Sequence, residues 1–132
     1  MLAITAKSPT AVRALCELAR RGATDPVPIG DIARSRDIPV QVLEGLFAVL
    51  RRGGILKSQR GVKGGYTFAR PPAEVTVLEV VELLDGTLGT TAAAAGFPWT
   101  DVTDSVREVL GAVTITAAAE REAGTGAAMY YI

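Results

Sequence analysis

The chain contains no histidine and a single cysteine, Cys16. Without imidazole it lacks the commonest general base and the commonest metal ligand. One thiol cannot close an intrachain bridge, so no disulfide framework holds this fold. No run of roughly 18 apolar residues occurs, which excludes the usual membrane-spanning helix. The opening residues, MLAITAKSPT, lack the basic-then-apolar order of a signal peptide. These absences predict a cytoplasmic protein with an ordinary apolar core. A hydrophobic fraction of 48% can supply that core. No nucleophile–base pair and no metal-ligand set is visible, so an enzyme is the weakest function class. Gly61, Gly64 and Gly65 do not make a phosphate-binding loop, because no Lys-Ser/Thr follows and a strand, not a helix, comes next.

The most informative absence is local. The segment RRGGILKSQRGVKGGYTFARPP, residues 51–72, holds no acid and six bases: Arg51, Arg52, Lys57, Arg60, Lys63 and Arg70. Two short strands are expected in it, Ile55–Gln59 and Tyr66–Ala69, joined by a basic turn containing glycine. That is a β-hairpin pattern. Upstream, Pro39–Arg52 reads as a helix with Leu43, Leu46, Phe47 and Leu50 on its apolar face. A helix followed at once by a basic hairpin is the layout of a winged helix-turn-helix. Such a hairpin reaches a phosphate backbone while the helix enters a groove. The plainer reading, a solvated surface turn, leaves the missing acids unexplained.

Net charge is zero, but its distribution is uneven. Residues 1–72 carry twelve Lys/Arg and five Asp/Glu, a net +7; residues 73–132 carry two and nine, a net −7. A basic half is the electrostatic footprint of a nucleic-acid-binding head, and the acidic half should face away from a polyanion. A length of 132 residues fits one compact domain. Within it, 1–72 is expected to be the DNA-binding region and 73–132 a helical dimerisation and effector region.

Further helices follow from period and caps. Ser8 is expected to cap the first, with Pro9 in its first turn and Val12, Leu15, Cys16 and Ala19 on its buried face. Gly22 ends it. Ile29, Ile32 and Ala33 mark a second, short helix, and Ser35–Ile38 is the turn before Pro39. Thr76 and Glu79 form a capping box for a fourth helix, whose stripe is Val77, Val80, Val81 and Leu84. Asp85-Gly86 stops it. Residues 87–97 are expected to form a loop, with at most one helical turn over Ala92–Ala95. Pro98 starts a fifth helix with Trp99, Val102, Val106, Val109, Leu110 and Val113 on one side. That stripe is wide for the edge of a small domain and predicts a homodimer contact, against the alternative of packing within one chain. A final short helix is expected over Thr114–Ala123. The fold class is thus mainly α with a small β-hairpin wing: a winged helix-turn-helix with a C-terminal dimerisation helix.

From about Ile4 to Ile115 the chain resembles the Rrf-type winged-helix transcription regulators, the group that includes IscR, NsrR and CymR. The motifs that carry the resemblance are A-V-R-A-L at Ala11–Leu15, L-E-G-L-F at Leu43–Phe47, R-G-V-K-G-G-Y at Arg60–Tyr66, A-R-P-P at Ala69–Pro72 and V-T-V-L-E-V-V at Val75–Val81, with a Trp-led helix from Trp99. The resemblance implies a dimeric regulator of transcription, read here as a repressor, whose partner is double-stranded promoter DNA. It maps the recognition helix to Pro39–Arg52, with Gln41 and Glu44 facing bases. Arg60 maps to an arginine expected in a minor groove, where negative potential is concentrated. Lys63 and Arg52 would sit on phosphate, and Arg51 and Lys57 belong to the same basic surface.

Two departures matter. Tyr and Gln often flank L-E in the family; here Val42 and Gly45 stand there, leaving fewer polar groups to read bases. Many members also hold an iron–sulfur cluster on three cysteines between the fourth helix and the Trp-led helix. Residues 86–98 contain none, and such clusters need thiolate or occasionally imidazole ligands. No cofactor and no metal site is therefore expected. Two alternatives stay open. One is a winged-helix protein-interaction module that does not read DNA. The other is a regulator switched by oxidation of Cys16, against simple burial of that thiol as a small hydrophobe.

Overall fold

A computed structural model describes residues 4–22, 25–87 and 96–130, with side chains as far as residue 124. Six α-helices and two strands follow in order: α1 Lys7–Arg20, α2 Ile29–Arg36, α3 Val40–Arg52, β1 Leu56–Gln59, β2 Gly65–Phe68, α4 Val77–Asp85, α5 Trp99–Gly111 and α6 Ile115–Tyr130. A 3-10 turn over Pro72–Glu74 separates the hairpin from α4. The strands pair antiparallel, Leu56 opposite Phe68 and Gln59 opposite Gly65. This is the mainly helical winged fold expected from the sequence. Most of the loop expected over 87–97, with its optional turn at Ala92–Ala95, lies outside the described residues.

The four apolar positions of α3, at i, i+3, i+4 and i+7, are all buried. They meet Ala11, Ala14, Leu15 and Leu18 of α1 and Ile32 and Ala33 of α2. Val75, Val80 and Ile115 join the same core. Asp37 ends α2 in the left-handed conformation at φ 54°, which Asp tolerates better than most residues. The Ile38 amide then reaches back to the Ala33 carbonyl at 2.9 Å, closing the turn before Pro39 starts α3.

The wing is fixed to the body at two points. Phe47 of α3 meets Tyr66 of β2 edge-on, with ring centroids 5.1 Å apart. Val27 lies against β2 as a fragment of a third strand, its amide and carbonyl exchanging hydrogen bonds of 3.0 and 2.9 Å with Tyr66. The glycine pair follows from this crowding. A Cβ at Gly65 would lie 2.3 Å from the Val27 backbone, and one at Gly64 would lie 2.4 Å from the Gln59 carbonyl oxygen.

Three expectations need correction. Ser8 does not cap α1. It lies inside the helix, buried, and its hydroxyl donates to Asp85 Oδ2 at 2.6 Å. Asp85, at the end of α4, also accepts the Thr5 hydroxyl at 2.6 Å and the Thr5 amide at 3.2 Å. The buried face of α1 is rotated from the expected stripe: Ala11, Ala14, Leu15, Cys16 and Leu18 are buried, while Val12 and Ala19 are half-buried. Alanines at 11 and 14 let α1 pass close to α2, α3 and α4. Lastly, α6 continues to Tyr130, past the expected end at Ala123, because its alanine-rich sequence outweighs two glycines. The Thr76 cap holds as expected, its hydroxyl accepting the Glu79 amide at 3.2 Å.

A buried acid ties three helices together. Glu17 of α1 is 2% exposed and accepts hydrogen bonds from Arg20 at 3.0 Å, Arg21 at 2.9 Å and Arg36 at 3.0 Å. Arg36, the last residue of α2, also donates to Glu122 of α6. Burial pushes the Glu17 carboxyl up, but hydrogen bonds from Arg21 and Arg36 and the charge of Arg20 outweigh this and hold it below its usual range. Asp85 is lowered in the same manner, by Ser8 and Thr5 against burial. Glu79 and Glu122 are lowered chiefly by hydrogen bonds from Arg70 and Arg36.

A carboxyl lowered by folding stabilises the fold fully above its unfolded pKa, about 4, and that contribution is lost as pH falls through the folded value. Thermal melts should therefore be flat near neutrality and fall steeply below about pH 4. Glu17→Ala should cost ~3 kcal/mol or more at neutral pH, because it leaves Arg36 short of a partner in a low-dielectric site. Glu17→Gln should flatten the acid limb of the melting curve. An acid limb identical to wild type would remove Glu17 from this account.

Candidate nucleic-acid interface

The register of α3 decides which of its side chains can meet a ligand. With Leu43, Leu46, Phe47 and Leu50 turned inward, Gln41, Glu44, Arg51 and Arg52 are exposed. Val40, Val42 and Gly45 are exposed beside them. The chain turns sharply after α3: the Gly54 amide bonds the Arg51 carbonyl at 3.1 Å and the Ile55 amide bonds the Leu50 carbonyl at 3.0 Å. Gly53 permits this against α4, since a Cβ there would lie 2.6 Å from the Leu83 side chain. Strand β1 thus leaves directly from the end of α3, and Arg51 Nη1 approaches Ser58 Oγ at 3.5 Å.

Lys57 stands exposed on β1, and the loop Arg60-Gly61-Val62-Lys63-Gly64 forms the wing tip. The Gly64 amide closes that loop on the Gly61 carbonyl at 2.9 Å. Arg60, Val62 and Lys63 all project into solvent. The fold therefore places every one of the seven expected DNA-facing residues, Gln41, Glu44, Arg51, Arg52, Lys57, Arg60 and Lys63, at the surface of α3 or the wing.

Basic residues elsewhere are differently disposed. Arg20, Arg21 and Arg36 converge on Glu17. Arg34 pairs with Asp31. Arg70, within the acid-free segment, pairs with Glu79 through two contacts, at 2.6 and 3.1 Å. Among the described residues, Arg51, Arg52, Lys57, Arg60 and Lys63 make no ion pair. Net charge by segment did not reveal this sorting.

The α5 stripe divides in two. Thr103 is buried and Val106 and Leu110 are half-buried; Val113, expected on the helix, is half-buried two residues past its end at Gly111. Arg107 lies on the same inner side, donating to Glu82 of α4 at 2.9 Å. Trp99, Val102 and Val109 are 48%, 42% and 64% exposed. The helix packs on its own chain with one edge and leaves an apolar edge outward.

Cys16 is buried in α1, 2% exposed. Burial and the nearby charge of Glu122 push its thiol up to about 11, against a smaller opposing effect of Arg36. The cation that acts on it comes from α2, not from its own helix. The cluster held by many proteins of the resembled family does not fit this donor set. The chain has no histidine, its one thiol sits in the core of α1, and residues 86–98 offer none. Among the described residues no group of three His, Cys, Asp or Glu is placed to hold a metal ion, and no helix is long and apolar enough to cross a membrane.

Two outcomes follow. Anaerobic treatment with iron and sulfide should leave the protein without a visible absorbance band or stoichiometric iron. Cys16 should react slowly with a thiol reagent at neutral pH in the folded state and fast in denaturant, since the thiolate is the reactive form. Equal rates in both states would place the thiol outside the core.

Comparison with known proteins supports this geometry. The model of the Rrf2 family, described as an iron-dependent transcriptional regulator, matches residues 4–121. IscR of Xenorhabdus nematophila, an HTH-type transcriptional regulator, is 29% identical over 124 residues, 85% of this chain and 76% of its own length. IscR of Klebsiella pneumoniae is 35% identical over 88 residues, 67% of this chain and 54% of its own. Among solved structures, CymR of B. subtilis, described as the global cysteine regulator, superposes with a TM-score of 0.81 at 28% identity, covering 92% of this chain and 98% of that one. IscR of T. potens gives 0.76 at 31% identity, covering 92% and 88%. With a family match across nearly the whole chain and the same winged architecture in solved relatives, the chain belongs to the Rrf2 family, whose members are transcription regulators and not enzymes.

Proposed function

We propose that this protein is a homodimeric repressor that binds operators in double-stranded promoter DNA and does so without an iron–sulfur cluster. Residues 1–72 are the reading head and 73–132 the dimerisation and effector region. One observation carries the reading. Of the twelve basic residues in 1–72, five are bound to carboxylates and Lys7 and Arg13 lie on α1, while Arg51, Arg52, Lys57, Arg60 and Lys63 are exposed and, among the described residues, in no ion pair, on one helix and its wing. Cations so placed bind phosphate and release its counterions. In this arrangement α3 enters a major groove with Gln41 and Glu44 toward the bases, Arg60 enters the neighbouring minor groove, and Lys63 and Arg52 hold phosphate.

Arg60→Ala should weaken binding to a specific operator by about 1–3 kcal/mol, the scale of a specific contact. Lys63→Ala should chiefly lower the slope of log affinity against log salt by about one. Both are measured by fluorescence anisotropy over a salt series. Equal, small effects would remove the groove role of Arg60. Binding with no salt dependence would favour a protein-interaction module.

The outward edge of α5 supplies the pairing. Trp99, Val102 and Val109 are exposed on the single chain, so a charge at this edge need not disturb its fold. Val109→Glu should yield folded monomers, because pairing would bury an acid without a partner at a cost of several kcal/mol. Operator affinity should then drop steeply, one half-site being engaged in place of two. Sedimentation and circular dichroism of wild type and variant check this. A wild-type monomer, or a folded variant that still pairs, would move the interface elsewhere.

A further inference from the structure

We propose that α3 reads a thymine through its 5-methyl group, with Val42 as the contacting side chain and Gly45 as the gap that admits the base edge. The inference rests on the reading of α3 as the DNA-reading helix and adds what that helix recognises.

Gly45 is the first observation. It sits near the middle of a 13-residue helix, where glycine is the poorest helix former after proline. Nothing among the described residues requires it. A Cβ built there meets no atom within 4 Å, and its backbone is not left-handed. Gly53 and Gly65 are different, since a Cβ would strike Leu83 at 2.6 Å and the Val27 backbone at 2.3 Å. The space a side chain would fill at residue 45 is open, on the exposed face of α3.

Val42 is the second observation. It is 49% exposed, on a helix whose leucines and phenylalanine are all buried. On a helix, residues three and four apart are neighbours, so Gly45 borders both Val42 and Gln41. The absent side chain leaves a notch between an isopropyl group and an amide. In a major groove, thymine is the base that presents an apolar group, its C5 methyl, and glutamine pairs bidentately with adenine N6 and N7. The notch with its two walls matches adenine and thymine. A guanine would call for an arginine or lysine, and the first cation of α3 is Arg51, at its far end.

The test uses the shortest promoter fragment that the full-length protein protects. Each thymine is replaced in turn by deoxyuridine, which changes only the methyl to hydrogen, and the affinity is measured at fixed salt. One position per half-site should lose about four-fold, the scale of one buried methyl group. That loss should vanish in Val42→Ala. Gly45→Ala should melt a few degrees higher, by helix propensity, yet bind the same operator at least about four-fold more weakly. Tolerance of uracil at every position, or a uracil effect that persists in Val42→Ala, overturns the thymine contact. Undiminished binding by Gly45→Ala overturns the notch. Failure to bind any DNA in a salt-dependent way overturns the regulator reading itself, and is told apart from the other outcomes because it precedes them.

Discussion

The position of α3 depends on a carboxylate that has no reason to be buried except the company it keeps. Glu17 is nearly out of reach of solvent, and burying a charge is costly unless it is paired and hydrogen-bonded. Three guanidinium groups meet that condition. The geometry matters more than the energy. Arg36 ends α2, one residue before the left-handed Asp37, so the pair fixes the chain where it turns into α3. Arg13 of α1 adds a hydrogen bond of 2.8 Å to the Arg36 carbonyl, and Glu122 of α6 holds the other side of the guanidinium. The helix-turn-helix is thereby bound to the helix before it and to the last helix of the chain. Its angle is set by ion pairs, whose geometry is directional, as well as by apolar packing, which is not.

The same logic sorts the cations of the N-terminal half. Those near a carboxylate supplied by the fold serve as internal ties, and they come from α1, α2 and the end of the wing. Of the rest, Lys7 and Arg13 stay on α1, and the other five gather on α3 and the hairpin, where Glu44 is the one acid of residues 40–70 and pairs with none of them. Arg70 illustrates the difference. It belongs by sequence to the acid-free segment, yet the capping box of α4 brings Glu79 to it, so it braces the wing against the second half. Absence of acid in sequence and absence of acid in space are different conditions, and a phosphate backbone responds to the second.

Local signals explain what could be read from the chain. Leu43, Leu46, Phe47 and Leu50 have strict helical spacing and Pro39 marks their start, so α3 was legible to within one residue. Paired glycines bracketing a basic turn made the wing legible, and the structure adds why both Gly64 and Gly65 are needed. The unread features were long-range. Ser8 has the local preference of a cap, but Asp85 reaches it from 77 residues away. Nothing near Glu17 in sequence announces Arg36, and nothing near Cys16 announces Glu122 as the charge beside it. The α5 stripe looked uniformly wide because two half-stripes overlap on it, an inward one around Thr103 and Leu110 and an outward one at Trp99, Val102 and Val109.

Those outward residues and the five unpaired cations have a common physical meaning. Like charges held close together repel one another, and exposed apolar side chains order water; a chain that keeps both has surfaces whose free energy falls when they are covered. The two surfaces call for opposite partners. Cations grouped on a helix and hairpin suit a polyanion, and a line of apolar side chains on a helix suits another apolar line. They also lie in opposite halves of a sequence charged +7 and −7. In the pairing proposed here, the acidic halves meet one another through apolar contacts while each basic half remains turned outward. Repulsion between acidic halves then opposes pairing, so the apolar edge of α5 must be continuous enough to exceed it. On the single chain the inward stripe is taken up by packing, which leaves Trp99, Val102 and Val109 as the edge that has to supply it.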